Sequence, residues 1–137
     1  MVNEEIKIYC DGGSRGNPGP SAAGVVFVDN NDKVVAQYNE YLGEQTNNFA
    51  EYSAVLLALK HIDNYKNSKI KFFLDSQLVV QQLKGAYKVK SDNIKPLYHK
   101  IISQIEVLDV EFTHVLREYN KLADEQVNIC LDSQSID

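Results

Sequence analysis

The spacing of apolar residues along the chain predicts five strands and four helices. Strands are expected where apolar and polar residues alternate or where β-branched and aromatic residues cluster, at Ile6–Cys10, Ala22–Val28, Val34–Leu42, Ile70–Leu74 and Val110–Val115. Helices are expected where the apolar spacing changes to 3.6 residues, from Asn48 to about Tyr65 and at Ser76–Leu83, Asn93–Val107 and Asn120–Leu131. Three successive strands, followed by alternating helices and strands, predict an α/β fold in which helices flank a mixed sheet.

The composition is that of one globular domain. Of the 137 residues, 44% are hydrophobic and 24% are charged, which excludes a disordered or fibrous protein. We expect a single domain over residues 1–137, with its core at about 5–131 and a polar C-terminal tail. Cys10 and Cys130 have no disulfide or metal-binding pattern, no apolar run could span a bilayer, and the N-terminus does not resemble a targeting signal. These features predict a cytoplasmic protein that does not bind membranes, and a monomer is the default expectation.

The charged residues give a mixed indication about partners. With 14 Lys and Arg against 19 Asp and Glu, the formal net charge is −5, which by itself argues against a polyanionic partner. The segment 84–100 nevertheless contains a basic stripe in which Asp92 is the single acidic residue. The lysines of this basic stripe are Lys84, Lys88, Lys90, Lys95 and Lys100. The basic stripe permits contacts with phosphates, and we expect such binding to be weak and easily lost with added salt.

Two aspartates follow the first and fourth predicted strands. Counting alternate residues places Tyr9 and Asp11 on one side of the first strand, and Phe73 and Asp75 on one side of the fourth. If these strands are parallel neighbours, both carboxylates emerge at the carboxyl edge of the sheet, where open α/β sheets place their sites. The alternative is that each aspartate begins a turn or caps a helix.

Two further carboxylates border the apolar faces of helices. Glu51 shares a helix face with Val55, and a buried carboxylate is costly unless it is paired or binds a metal. Equally, the run from Asn48 to Glu51 fits a capping box, in which Glu51 bonds back to the start of its own helix. Asp124 follows the expected cap Asn120 and borders the buried stripe of the last helix, where the helix dipole alone would also favour an anion.

Together these four carboxylates predict a site for hard divalent cations. No His or Cys accompanies them, and carboxylate oxygens are the ligands that suit Mg²⁺. Four acids suit two metal ions about 3.5–4 Å apart, which is an arrangement for phosphoryl displacement. Their mutual repulsion in the absence of cations is a second reason to expect bound metal.

Four segments match the motifs of a known family in order and spacing. They are Tyr9–Pro20, Thr46–Tyr52, Asp75–Val80 and His114–Asp124. On these motifs the chain resembles the type 1 ribonuclease H family, in its short prokaryotic form, over about residues 5–131. The resemblance implies the ribonuclease H-like fold: a mixed five-stranded sheet, with three antiparallel strands and two parallel ones, in which the first strand lies beside the fourth.

For the acidic residues, the resemblance implies that Asp11, Glu51, Asp75 and Asp124 are catalytic and bind metal. The implied cofactor is Mg²⁺, with two ions per site and Mn²⁺ as a substitute. The implied activity is endonucleolytic hydrolysis of the RNA strand of RNA–DNA hybrids, leaving 5′-phosphate and 3′-hydroxyl ends. Glu51 is also expected to contact a 2′-hydroxyl next to the cut, which is the group that distinguishes RNA from DNA.

The resemblance also implies a set of substrate contacts. They are the loop residues Gly12, Gly13 and Ser14, the minor-groove residues Asn17, Asn47 and Gln77, the phosphate-pocket residues Thr46 and Asn93, and Arg117. Glycine would let the backbone approach the RNA strand closely. Each polar residue could instead serve as a cap or turn residue, and the glycine loop could be a plain hairpin turn.

Alternatives remain for Arg117 and for the activity itself. Arg117 lies near the position of a mobile histidine in well-studied bacterial members, so it could assist product release, hold the phosphate, or form a surface ion pair with Glu118 or another neighbour. His114 is expected to be a structural residue at the end of a strand. The alternative function is a catalytically silent module that binds hybrids or double-stranded RNA. Some short members also cut double-stranded RNA, which makes it a second candidate substrate.

Overall fold

The computed structural model describes residues 4–134, which form a five-stranded sheet and four α-helices. The strands are β1 (Glu5–Ser14), β2 (Gly19–Val28), β3 (Val34–Gln45), β4 (Lys69–Leu74) and β5 (Asp109–His114). The helices are α1 (Asn47–Lys60), α2 (Gln77–Leu83), α3 (Lys95–Ile105) and α4 (Lys121–Gln134), and short 3₁₀ turns occur at Asp63–Tyr65 and Arg117–Tyr119.

The sheet is mixed, with the strand order β3-β2-β1-β4-β5. β1, β2 and β3 are antiparallel neighbours, whereas β4 is parallel to both β1 and β5. The predicted fold class and the pairing of the first strand with the fourth are therefore confirmed. Tyr9 lies opposite Phe73 in the ladder, and their rings stack with centroids 4.9 Å apart. Asp11 and Asp75 each follow this pair by two residues, so the alternation of a strand brings them to the same face.

Helices cover the two faces of the sheet unequally. α1 packs on β1 and β2, α3 packs on α1, and α2 packs on β4 and β5. This face holds the main hydrophobic core, which includes Ile8 and Phe72 of the sheet and Val55 of α1. α4 covers the opposite face over β1, β2 and β3. Its contact with the sheet buries a smaller apolar cluster of Ala22, Val127, Cys130 and Leu131.

The first hairpin is longer than the sequence predicts. The sequence predicts a first strand that ends at Cys10 and a break in regular structure over residues 11–20, but β1 continues to Ser14 and β2 begins at Gly19. Residues 11–14 pair in register with residues 21–24 of β2. Glycine is a weak strand former, and here the hydrogen bonds to the neighbouring strand override that preference. The alternative of a plain hairpin turn at the two glycines is therefore wrong.

α1 is shorter than predicted. It ends at Lys60 rather than near Tyr65, because His61 leaves the helical backbone and its N–H bonds to the carbonyl of Ala58. This bond tightens the last turn, and a separate 3₁₀ turn then covers Asp63–Tyr65. The apolar stripe continues through both pieces, which is why periodicity alone joins them.

The other helix boundaries differ by a few residues. α3 occupies only the middle of the predicted span Asn93–Val107, with Pro96 in its first turn. α4 begins at Lys121 and continues to Gln134, so the first residues of the expected polar tail are helical. The remainder of that tail, residues 135–137, lies outside the described residues.

Two further features concern the helices and the cysteines. Of the helices in residues 4–134, none is long and apolar enough to cross a bilayer.

Cys10 and Cys130 are buried with free thiols. Burial raises the pKa of both thiols, which keeps them protonated and poorly nucleophilic.

Candidate active site

A cleft of about 460 Å³ opens at the edge of the sheet where β1 and β4 end. Its lining includes all four predicted carboxylates: Asp11, Glu51, Asp75 and Asp124. They come from β1, from α1, from the connection after β4 and from α4. Because α1 and α4 pack on opposite faces of the sheet, the two helices reach the cleft from opposite sides.

Three of the carboxylates form a tight group. Oxygen atoms of Asp11, Glu51 and Asp75 lie within 4.8 Å of one another. Asp11 is 7% exposed and Glu51 is 5% exposed, whereas Asp75 is half-buried. Several carboxylate oxygens in a largely buried position are the ligands that a hard divalent cation requires.

Neither aspartate of this group serves as a helix cap or begins a turn. α2 is capped by Ser76, whose hydroxyl oxygen accepts from the N–H of Val79 at 3.4 Å. Asp11 lies inside β1, where it pairs with Gly24 of β2. The alternative structural roles considered for Asp11 and Asp75 are therefore not observed.

Glu51 is held in the cleft by the backbone of β1. The N–H of Gly12 donates to Glu51 Oε1, with an N···O distance of 3.0 Å. The cap of α1 is Thr46, whose hydroxyl accepts from the N–H of Phe49, so the alternative of a capping box between Asn48 and Glu51 is wrong. Glu51 Oε2 is fully buried, and no donor from the described residues reaches it. A buried oxygen without a partner is costly, and a bound cation would satisfy it.

Burial raises the pKa values of two of these acids. The pKa of Asp11 rises from 3.8 to about 7, first because the group is buried and then because of the charge of Asp75. Burial, and then the charge of Asp11, raise the pKa of Glu51 well above its ordinary value. Without cations the group therefore retains protons near neutral pH, and a divalent cation would displace them on binding.

Asp124 lies at the rim of the group. It is half-buried in the first turn of α4, and Asn128 donates to its Oδ2 at 3.4 Å. Both its charge and a hydrogen bond contribute to the raised pKa of Asp11, so the two carboxyl groups are neighbours. The helix dipole also favours a carboxylate at this position, so the dipole interaction and a role in the cleft are compatible.

A close backbone approach and a polar network position α4. A Cβ at Gly24 of β2 would lie 2.5 Å from a backbone carbonyl oxygen of α4. The buried amide of Gln126 accepts from Asn39 Nδ2 at 3.0 Å and donates to Gln37 Oε1 at 2.8 Å. These contacts fix the helix beside Asp124, and they therefore set the position of that carboxylate.

Asn120 is a residue of the site that the sequence alone indicates only as a helix cap. It is fully buried, and its side-chain nitrogen donates to the carbonyl of Cys10 at 2.8 Å and to Asp75 Oδ2 at 3.3 Å. It thus joins the end of β1 to the carboxylate that follows β4. The signal that could have identified it is its place in the matched segment, four residues before Asp124.

Replacing Asn120 by Asp should destabilise the protein and weaken its binding of divalent cations. Both partners of the amide nitrogen are acceptors, so an aspartate would face two oxygens with no hydrogen to donate, and a lost buried hydrogen bond costs about 1–3 kcal/mol. We expect a fall in Tm of several degrees and a weaker Mg²⁺ titration by calorimetry. Asn64→Asp makes the same change at an exposed position far from the cleft and should show neither effect. Parent-like stability of Asn120→Asp would contradict the assigned contacts.

Asn17 and Asn47 connect the β1–β2 loop to the start of α1. Asn47 Oδ1 accepts from the N–H of Ser14 at 2.9 Å, and the N–H of Asn47 donates to Asn17 Oδ1 at 3.0 Å. Asn47 and Ser14 line the carboxylate cleft together with Gly12 and Gly13. Ser14, Asn17 and Asn47 therefore have structural partners, and the end of β1 faces the cleft.

A second pocket, of about 330 Å³, contains the two predicted phosphate-pocket residues. Thr46 and Asn93 line it together with Asn17, Asn47, Asn48, Ser91 and Ile94. Asn93 is not the cap of α3, because Ile94 occupies that position and Asn93 Oδ1 accepts from the hydroxyl of Ser91. The lining of amides and hydroxyls could bind an anionic oxygen.

Arg117, Gln77 and His114 occupy three different environments. Arg117 is exposed and lines the carboxylate cleft. The ion pairs of residues 4–134 do not include it, so a surface pair with Glu118 is not observed. Gln77 is the exposed first residue of α2, and His114 is the half-buried last residue of β5. Neither is among the residues that line the cleft.

The basic stripe is exposed and borders a cavity of about 850 Å³. The cavity is lined by Gly85, Ala86, Tyr87, Lys88, Val89, Lys90, Lys95, Tyr98 and His99. Cationic and aromatic side chains therefore share one surface between α2 and α3, as in surfaces that contact nucleic-acid backbones.

Comparison with known proteins gives consistent results. Residues 9–130 match the model of a family described as reverse transcriptase-like. The chain is 38% identical over 131 residues to Ribonuclease HI of Halobacterium salinarum, covering 93% of this chain and 64% of that protein. It is 35% identical over 133 residues to Bifunctional protein Rv2228c of Mycobacterium tuberculosis, covering 94% of this chain and 36% of that protein. The solved structure of LC11-RNase H1 in complex with RNA/DNA hybrid has a TM-score of 0.89 and 38% identity, covering 93% of this chain and 97% of that one.

The strand order and the carboxylate cleft define an α/β protein of the ribonuclease H fold. The match over residues 9–130 shows that the chain belongs to the reverse transcriptase-like family. The resemblance to type 1 ribonucleases H that the four motifs indicate is confirmed. The chain spans 64% of the length of the halobacterial relative and 36% of the mycobacterial one.

Proposed function

We propose that this protein is a metal-dependent ribonuclease H, an endonuclease that hydrolyses the RNA strand of RNA–DNA hybrids and leaves 5′-phosphate and 3′-hydroxyl ends. The observation that carries the proposal is the buried carboxylate group of Asp11, Glu51 and Asp75. It lies in a fold that superposes on an RNase H1 solved in complex with RNA/DNA hybrid. Carboxylates repel phosphates and would weaken a protein that only binds nucleic acid, whereas a metal-dependent nuclease needs them as ligands.

The proposed cofactor is Mg²⁺, with two ions per site and Mn²⁺ as a substitute. The ligands would be Asp11, Glu51, Asp75 and Asp124, and the buried Oε2 of Glu51 supports this donor set. When bound, such ions supply an activated water and Lewis-acid stabilisation of the leaving oxygen. The protein holds the ligands in place: Gly12 orients Glu51, and Asn120 orients Asp75. Preorganised ligands avoid the reorganisation that would otherwise oppose binding.

Recognition of the RNA strand is proposed to depend on Glu51 and on residues 12–14 at the end of β1. Glu51 would contact the 2′-hydroxyl beside the cut, which discriminates RNA from DNA. Residues 12–14 line the cleft and carry at most a serine side chain, so an RNA backbone could approach them closely. Asn17, Asn47 and Gln77 are proposed to contact the minor groove.

The phosphate contacts are proposed to lie on three surfaces. The pocket of Thr46 and Asn93 would hold a phosphate of the DNA strand, because its amides and hydroxyl can donate hydrogen bonds. Arg117, at the edge of the cleft, would hold the scissile phosphate or assist product release. The basic stripe would contact phosphates further from the cut. Because these contacts are with phosphates and the net charge of −5 opposes binding, we expect hybrid binding to be weak and easily lost with added salt.

The proposal is tested by incubating labelled RNA–DNA hybrid with the protein and Mg²⁺ or Mn²⁺. We expect RNA fragments with 5′-phosphate and 3′-hydroxyl ends, no cleavage in EDTA, and almost none by Asp75→Asn. A double-stranded RNA of the same sequence, assayed in parallel, measures the second candidate substrate. Absence of cleavage with either metal, or full cleavage by Asp75→Asn, would contradict the proposal. Tight hybrid binding without turnover would support the catalytically silent module instead.

Three broader expectations stay predictions. They are the single domain over residues 1–137, the cytoplasmic location and the monomeric state. The continuous sheet of residues 4–134 supports the first of them, because its five strands share one ladder. Sedimentation of the metal-loaded protein would measure the third.

A further inference from the structure

Gln82 is a buried polar residue outside the carboxylate cleft. It lies in the last turn of α2, is 9% exposed, and uses both ends of its amide. Its Oε1 accepts from the hydroxyl of Tyr52 at 2.6 Å, and its Nε2 donates to the backbone carbonyl of Lys88 at 3.2 Å. The side chain thus links α1, which carries Glu51, to the segment that carries the basic stripe.

The two partners require an amide between them. Tyr52 is fully buried, and burial raises the pKa of its hydroxyl, so the hydroxyl stays protonated and needs an acceptor. The carbonyl of Lys88 needs a donor. A glutamine offers both, whereas a carboxylate lacks the donor and an apolar side chain lacks both. These two hydrogen bonds explain why Gln82 can be buried among the apolar residues on the inner face of α2.

The hydrogen bond from Gln82 to Lys88 lies just beyond the last backbone–backbone hydrogen bonds of the turn that follows α2. Gly85, at φ +83°, ends the helix, and the N–H groups of Ala86 and Tyr87 donate to the carbonyl of Gln81. For residues 88–90, the described part of the chain provides no further backbone–backbone hydrogen bond. The side chain of Val89 packs on the core. The bond from Gln82 thus fixes the backbone between two exposed lysines of the basic stripe.

We propose that Gln82 is a positioning residue for nucleic-acid binding, which holds the backbone of residues 88–90 so that Lys88 and Lys90 face the phosphates of the substrate. This inference rests on the proposed function, because it takes the basic stripe as a contact surface for the hybrid. A segment that is already fixed loses less conformational freedom on binding, so affinity depends on Gln82 although it touches no nucleic acid. The carboxylates are unaffected, so the effect falls on KM and not on kcat.

The test is Gln82→Met, which keeps the length of the side chain and removes both hydrogen bonds. We expect KM for the hybrid to rise about 3- to 10-fold, the range expected for ordering one flexible side chain on binding, with kcat within about twofold of the parent. Hydrogen–deuterium exchange without substrate should become faster in the peptide covering residues 84–91. The salt dependence of hybrid binding should become shallower, because fewer lysines are held against phosphates.

Tyr52→Phe is the matched control. It removes the hydrogen bond to the same amide but leaves the bond from Gln82 to Lys88, so it should lower Tm and leave KM within about twofold of the parent. If both variants raised KM in proportion to their loss of Tm, the effect would be one of stability and the inference would be overturned. Unchanged exchange of residues 84–91 in Gln82→Met would also overturn it.

Failure of the proposed function is recognised separately. If the parent protein cleaved no hybrid with Mg²⁺ or Mn²⁺, the nuclease proposal would fail, whatever Gln82→Met did. If the parent cleaved hybrid and Gln82→Met had the same KM and salt dependence, only the positioning role would fail. The exchange measurement uses no substrate, so it decides in either case whether Gln82 holds residues 88–90.

Discussion

Replacing Asp11 by Asn should reduce kcat/KM for hybrid cleavage about 10³-fold or more, because several kcal/mol of charge stabilisation at the reacting phosphate depend on bound metal. Asp11 is the carboxylate whose environment includes Glu51, Asp75 and Asp124. An amide provides one neutral oxygen in place of a charged carboxylate, so the site loses charge at the point where its ligands meet. Initial rates on labelled hybrid at saturating Mg²⁺ measure the loss.

The same substitution should stabilise the metal-free protein to an extent that depends on pH. The pKa of Asp11 is about 7 in the folded protein and near 3.8 in the unfolded chain. The folded state therefore binds the proton of Asp11 more strongly than the unfolded chain does. The stability that this proton provides is complete below pH 3.8 and is lost as the pH rises to about 7. Asparagine does not titrate, so in EDTA its advantage should be small near about pH 4 and amount to several degrees in Tm near about pH 8.

The control for this experiment is Asp63→Asn, which removes an exposed carboxylate outside the cleft. Within residues 4–134 Asp63 pairs with Lys66, and its side chain is 85% exposed, so its replacement should leave activity unchanged and alter Tm little at either pH. Calorimetric melts of the three proteins in EDTA give the comparison. Full activity of Asp11→Asn, or a difference in Tm that is the same at both pH values, would contradict the account of the carboxylate group.

Replacing Gly12 by Ala should prevent α1 from packing against β1. A Cβ at this position would lie 2.1 Å from the carbonyl carbon of Ala50 and 2.3 Å from the backbone nitrogen of Glu51, and helix backbone cannot move aside cheaply. We expect a loss of about 4 kcal/mol or more in the free energy of unfolding, which is a large part of the stability of an ordinary domain. The hydrogen bond from Gly12 to Glu51 depends on the same approach, so the carboxylate cleft should be lost as well. Urea denaturation followed by circular dichroism measures the change.

Gly13→Ala makes the identical change one residue further along. A Cβ there would lie 3.4 Å from Val127 Cγ1, which is an ordinary contact with a side chain. We expect its unfolding free energy to stay within about 1 kcal/mol of the parent, as for a substitution without a clash. Similar losses in both variants would show that strand propensity, and not the approach of α1, decides the effect at Gly12.

The sequence predicts those parts of the site in which the regular geometry of a strand or helix determines the direction of the side chain. Alternation along a strand places Tyr9 and Asp11 on one side, and the parallel pairing of β1 with β4 then brings Asp75 to the same edge. The helical period likewise places Glu51 on the buried face of α1. These rules need only the spacing of residues and the order of elements, which a single sequence contains.

Where the sequence alone leaves two roles open for a residue, contacts between distant segments decide most of the cases. Whether Glu51 caps its helix or enters the cleft is decided by Gly12, which lies 39 residues earlier in the chain. Asn120 looks like a cap locally, but its partners are on β1 and after β4, 110 and 45 residues away. Asn93 is a candidate cap by residue type, and here the local backbone decides, because Ile94 occupies the cap position of α3 and the Asn93 side chain accepts from Ser91. Local preferences are weak compared with the burial and hydrogen bonds that such tertiary contacts provide.

Because α4 packs apart from the main core, the protein could lose the Asp124 side of its cleft while its sheet stays folded. Asp124 enters the cleft from a helix that rests on a small apolar cluster and on the Gln126 network, whereas the other three acids come from elements of the main core. Regions with few buried apolar contacts open at a lower free energy than the whole domain. Detachment of α4 would therefore inactivate molecules whose sheet is still intact. A cation bound between Asp124 and the other carboxylates would oppose the detachment of α4 by mass action. The cation concentration would then determine the fraction of molecules with an assembled cleft, as well as the turnover of those molecules.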